Sequence, residues 1–159
     1  MLKQFVEEQH AIHDAEAKEA ARQFWVNLGY NCIENTNEFG VDLLVEGKGR
    51  EFGCEVETKT GWHGPEFEFT TLHIPFHKQK FTDNHVTFFV LNSGRTHAAV
   101  VSREKLLESP VVQVKNKMAQ MGVYFYEIAL EDVEFVNLLA RTICYTANVL
   151  PSSLLSSQN

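Results

Sequence analysis

The chain has 159 residues, 44% hydrophobic and 22% charged, with a formal net charge of −7. That length suits one globular domain with its own core, and no apolar run approaches the roughly 20 residues of a membrane-spanning helix. The acidic balance weighs against a nucleic-acid binder without excluding one, since a binding face is local.

In chain order, residues 2–28 read as one or two helices. Ala17, Ala20, Ala21, Phe24, Trp25 and Leu28 recur at helical spacing, and Gly29 is a natural stop. Three strands follow, Tyr30–Glu34, Gly40–Glu46 and Glu51–Lys59, the last two flanking the hairpin signal EGKGR. After GWHGP, Phe67–Ile74 alternates as a strand, and Pro75 opens the basic segment PFHKQKF. Val86–Leu91 and Thr96–Val101 flank a second hairpin signal, NSGR. SREKLLES reads as a short helix capped by Ser102, and VVQVKNKMAQM as a second one. Gly122–Ile128 is a strand, EDVEFVNLLAR an amphipathic helix, and 142–159 a flexible tail. The expectation is a single domain over 1–141, of mixed α/β class, a helix leading into a largely antiparallel central sheet.

Cys32, Cys54 and Cys144 are odd in number and widely spaced, which suits buried thiols in a reducing compartment. The opening stretch MLKQFVEEQHAIHDAEAKE is charged throughout and does not read as a signal peptide. A cytoplasmic location is the expectation. No P-loop, GxGxxG or GxSxG elbow is present in the sequence.

The chemistry concentrates in GVDLLV and GCEVETK. In an extended strand Glu55, Glu57 and Lys59 share one face, and like charges so placed repel unless something pairs them. Asp42 sits among Val41, Leu43, Leu44 and Val45, an unwelcoming place for a carboxylate without a task. Folding the hairpin about EGKGR lays Asp42 beside the Glu55–Glu57 region. Adjacent strands lie about 4.8 Å apart and residues i and i+2 about 6.6 Å apart, so a hard divalent ion fits between them. An ion there acidifies water and neutralises phosphate, while an ammonium orients the attacking water. The competing reading is the wet face of an exposed strand held by cross-strand ion pairs.

GVDLLV followed by CEVETK resembles the PD-(D/E)XK nuclease superfamily, which includes restriction-type enzymes, Holliday-junction resolvases and some homing endonucleases. The resemblance covers residues 15–62. It implies a restriction-endonuclease-like core, a mixed central sheet flanked by helices. It also implies an endonuclease that hydrolyses phosphodiester bonds, in DNA, with Mg²⁺ or Mn²⁺. Asp42 matches the first metal ligand, and Glu57 and Lys59 the (D/E)-x-K pair. Two departures stand out: Val41 replaces the proline of the family name, and the pair is alternatively Glu55 and Glu57. Glu55 is an additional ligand, and Glu16 or Glu19 a further helix carboxylate, with Glu16 favoured. Members commonly act as dimers or larger assemblies, so a homo-oligomer is implied. The alternative is an inactive nuclease-fold module that binds nucleic acid or protein.

Lys78 and Lys80, with Gln79, suit phosphate contacts beside the active edge, against the reading of a solvated turn. Lys115 and Lys117, with Arg95, Arg103 and Lys105, are candidates of the same sort. His73 and His77 stand at zinc-ligand spacing, but Pro75 interrupts the helix that would align them. The phenylalanines of FEFTT, VTFFV and VYFYEI are assigned to the core.

Overall fold

A computed structural model describes residues 2–116 and 119–140. One long helix, α1 (Leu2–Asn27), leads into β1 (Asn31–Glu34), β2 (Leu43–Gly47) and β3 (Arg50–Lys59). The chain continues through β4 (Thr71–Pro75), a 3₁₀ helix η1 (Phe76–Phe81), β5 (Val86–Asn92), β6 (His97–Ser102) and α2 (Arg103–Glu108). It closes with β7 (Val111–Asn116), β8 (Ala119–Ala129), η2 (Leu130–Asp132) and β9 (Glu134–Asn137). No helix among the described residues is long and apolar enough to cross a membrane.

The molecule is a mixed α/β structure built on a mixed six-stranded sheet, ordered β1-β2-β3-β5-β6-β9. Within it β3 and β5 pair in parallel and every other pairing is antiparallel. A second, antiparallel sheet has the order β4-β8-β7. β4 and η1 lie on the connection between β3 and β5, because a parallel pair needs a long crossover.

Residues on β5 alternate between two cores, as the period-two geometry of strands requires, and every second residue of β3 faces the first. Phe52, Cys54 and Val56 of β3, with Phe89 and Leu91 of β5, pack against Ala17, Ala21, Phe24, Trp25 and Leu28 of α1. Val86, Phe88 and Val90 of β5 pack on the other side with Trp62, Leu72, Ile74, Leu106, Tyr126 and Ile128. β5 is buried along its whole length. Trp25 anchors the first core edge-on to Phe24, Tyr30 and Phe52, and its Nε1–H donates to Cys54 Sγ at 3.4 Å.

Local chemistry explains the joints. Gly29 ends α1 at φ +92°, and Tyr30 N donates back to Trp25 O, a left-handed glycine stop. Lys48 and Gly49 both take positive φ in the two-residue β2–β3 turn, the twist that matches paired strands. Ser102 caps α2 by accepting from Lys105 N.

Three expectations are corrected. The described residues of VVQVKNKMAQM form β7 and the start of β8 rather than a helix, since its β-branched valines suit an extended chain. EDVEFVNLLAR becomes η2 and β9, where pairing with β6 outweighs helical periodicity. The strand expected over Phe67–Ile74 starts only at Thr71. The sheet has α1 on one face, and the second sheet with the short α2 on the other. The expected tail, with Cys144, lies outside the described residues.

Candidate functional site

The β2–β3 register pairs Leu43 with Cys54, and Asp42 comes one residue before β2 begins. β3 runs on past the end of this ladder. There the Val56 backbone N–H donates to Asp42 Oδ2 at 2.8 Å, so a side-chain carboxylate takes the place of a strand carbonyl. The other oxygen, Oδ1, lies 3.5 Å from Lys18 Nζ of α1. Lys18 also reaches Asp14 at 2.9 Å and Glu34 at 3.9 Å.

Glu55 and Glu57 point away from the α1 core because Cys54 and Val56 point into it. Lys78 of η1 meets them from the far side. Its Nζ lies 2.5 Å from Glu55 Oε1 and 2.6 Å from Glu57 Oε1. The Glu55 side chain is 5% exposed and that of Glu57 33%. Burial pushes the Glu55 carboxyl up to about 7; the Lys78 hydrogen bond pulls it down, and nearby Asp42 and Glu57 add to the rise. Burial disfavours the Lys78 charge, but the hydrogen bonds to Glu55 and Glu57 outweigh it and hold its pKa above that of an ordinary lysine. Glu55 Oε2 is buried with no hydrogen-bond partner.

Asp42, Glu55 and Glu57 therefore occupy one end of the β2–β3 ribbon, and the other expected residues have different neighbours. Lys59 Nζ sits over the Phe69 ring, 4.1 Å from its centroid, and burial lowers its pKa. Glu16 pairs with Arg95 at 2.7 Å, and Glu19 with Arg22 at 2.8 Å. The backbone carbonyl of Gln79 accepts from Thr82, and Lys80 Nζ stands 4.8 Å from the Phe81 centroid. Lys115 is exposed on β7, and Lys117 lies outside the described residues. His73 pairs with Glu127 at 3.0 Å on β4 and β8, while His77 belongs to η1.

A groove of about 460 Å³ opens beside Glu57, lined by His10, His13 and Asp14 of α1 with Thr58, Ser93 and Arg95. Arg95 adopts φ +55° in the β5–β6 turn. A larger cavity of about 580 Å³, against Arg50, His85, Arg103 and Glu131, is lined by none of the carboxylates above. Lys18 and the α1 histidines were missed in sequence. Their one visible signal is that His10, His13, Asp14 and Lys18 succeed one another at helical spacing, which does not reveal what the helix face meets.

Comparison with family models, curated proteins and solved structures finds no match to this chain. Among the described residues, no three His, Cys, Asp or Glu side chains form a ready cation cage. The donor set nevertheless fits a hard divalent ion: the groups are carboxylate oxygens, and Glu55 Oε2 is a buried acceptor with nothing to accept from. Lys18 and Lys78 are the two ammonium groups set among Asp14, Glu34, Asp42, Glu55 and Glu57, so negative charge is in excess.

Proposed function

We propose that this chain is a divalent-metal-dependent endonuclease with a restriction-endonuclease-like core, hydrolysing phosphodiester bonds in DNA. The observation that carries the reading is the gathering of Asp42, Glu55 and Glu57 at one end of two paired strands, with a buried carboxylate oxygen left unpartnered. Chain order supports it too, since a helix precedes a strand pair bearing Asp and then Glu-x-Lys.

In this reading Asp42 and Glu57, with Glu55, hold Mg²⁺ or Mn²⁺. The ion, when bound, acidifies a water and offsets charge on the phosphate. Lys59, on the same strand, orients that water. Glu16 assists by anchoring Arg95 at the rim of the groove, where the guanidinium meets the phosphate chain. Lys78, Gln79, Lys80, Lys115 and Lys117 are the candidate backbone contacts. Cutting both strands of a duplex takes two sites, which favours a homo-oligomer, and the thiols suit a cytoplasmic location. The purified protein incubated with supercoiled plasmid and Mg²⁺ or Mn²⁺ tests this. Nicking that is lost in D42N supports the reading, and an intact plasmid with either metal overturns it.

A second reading has one observation of its own. Asp42 caps a strand, Glu55 and Glu57 share Lys78, and Lys59 rests on Phe69, so each expected catalytic group already has a structural partner. That pattern suits a nuclease-fold module that binds nucleic acid or protein without turnover. It predicts DNA binding with no metal uptake, measured by calorimetry.

A further inference from the structure

We propose that the Lys78 ammonium occupies the seat of a divalent cation, so that Lys78 and a hard metal ion exclude each other between Glu55 and Glu57. The inference rests on the metal-dependent reading above and names the position of the ion. Nζ makes close contacts with one oxygen of each glutamate, 2.5 Å to Glu55 and 2.6 Å to Glu57, which is where a positive charge is most stabilised.

Three further features single out this seat. Glu55 is buried yet keeps Oε2 without a partner, so an ammonium reaching Oε1 leaves half of the carboxylate unsatisfied. A divalent ion able to bind both oxygens removes that deficit. Two glutamates share the single Lys78 ammonium, and a second positive charge at the seat balances them. The Glu57 side chain is 33% exposed, so the seat is reachable from solvent on the η1 side of the sheet.

The carrier of Lys78 is built to let go. η1 is six residues long, buries none of them, and has no side-chain cap at its start. Swinging out the Lys78 side chain alone leaves Phe81 against the second core and Phe76 against Tyr126, whereas withdrawing Glu55 would disturb the centre of β3. The seat belongs to the strand, and the ammonium is its removable occupant. Because the lysine is tethered beside the glutamates, it competes at high effective concentration and weakens apparent metal affinity.

The test is Mn²⁺ binding to the full-length protein without DNA, by calorimetry at pH 8, comparing the parent with K78M and K78R. K78M is expected to bind Mn²⁺ at least about ten-fold tighter, about 1.4 kcal/mol, while K78R shows no gain. The K78M/E57Q double variant should lose the gain. A folded K78M that binds no tighter than the parent overturns the proposal. A second measurement uses the parent alone, should K78M fail to fold. Acylation of Lys78 by a succinimidyl ester, read by mass spectrometry, should rise several-fold when Mg²⁺ is saturating. Unchanged labelling overturns the proposal. Released Lys78 in a protein that never cuts DNA sinks the nuclease reading and leaves this exchange standing. Cleavage with Lys78 still protected does the reverse.

Discussion

The Asp42 carboxylate accepts a hydrogen bond from the Val56 backbone N–H at 2.8 Å, one residue before β2 begins and where β3 runs on past the ladder. One side chain thus serves both as a strand cap and as a member of the acidic group. The two roles separate by substitution. D42N keeps an acceptor for Val56 and removes the charge, so stability should fall by less than about 1 kcal/mol while cleavage is abolished. D42A orphans the N–H and should cost about 1–3 kcal/mol as well as cleavage. Urea unfolding beside a plasmid-nicking assay checks both; equal nicking by D42N and parent would remove Asp42 from the chemistry.

Lys59 stands over Phe69 rather than against a carboxylate, and it is the ammonium that the family resemblance ties to water activation. K59A should abolish nicking and lower stability by about 0.5–2 kcal/mol, the range of a cation–π contact made by a half-buried lysine. Thermal melts with the nicking assay measure the pair. A K59A protein that cuts at the parental rate would take the ammonium role away from this residue.

Glu55 makes the stability of the protein depend on pH. Its carboxyl is held up at about 7, chiefly by burial, against an unfolded value near 4.5. The folded chain thus keeps a proton that the unfolded chain releases. This contribution is fully present below the unfolded value and is lost as pH rises through about 7. The loss is of order 3 kcal/mol at most for one such group. E55Q stays neutral and should flatten that part of the profile. Urea midpoints at pH 4.5 and 8 compare the two proteins; parallel profiles would mean that Glu55 is ionised in the fold throughout.

Gly53 explains why the β3 motif opens with glycine. A Cβ added there would lie 2.7 Å from Val41 Cγ2 and 3.1 Å from Cγ1, next door to Asp42. G53A should therefore cost about 1–3 kcal/mol through overpacking and weaken cleavage by displacing the Asp42 turn. V41A in the same chain should restore much of both. A double variant no better than G53A, in denaturant and nicking assays, would show that the clash is relieved elsewhere.

Sequence patterns carried the front half of the fold. The α1 face, the Gly29 stop, the EGKGR hairpin and the Ser102 cap are each decided by residues within a few positions of one another, so propensity and periodicity read them directly. In the back half Gly122–Ile128 was legible as a strand, but β8 is held by distant β4 and β9 by distant β6, and helix-like spacing in EDVEFVNLLAR says nothing about the waiting edge of β6. The same division runs through the candidate site. That Asp42 would fold back against Glu55 and Glu57 follows from one hairpin, and local turn chemistry is enough to set it.

What only the tertiary structure decided is which cation each carboxylate meets. Lys18 reaches Asp42 across 24 residues and Lys78 reaches Glu55 across 23, although Lys59 stands four positions from Glu55 on the same strand. Coulomb attraction acts through space and favours the nearest desolvated partner. Nearness between separate elements is set by how helix and sheets pack, which no short stretch of residues encodes.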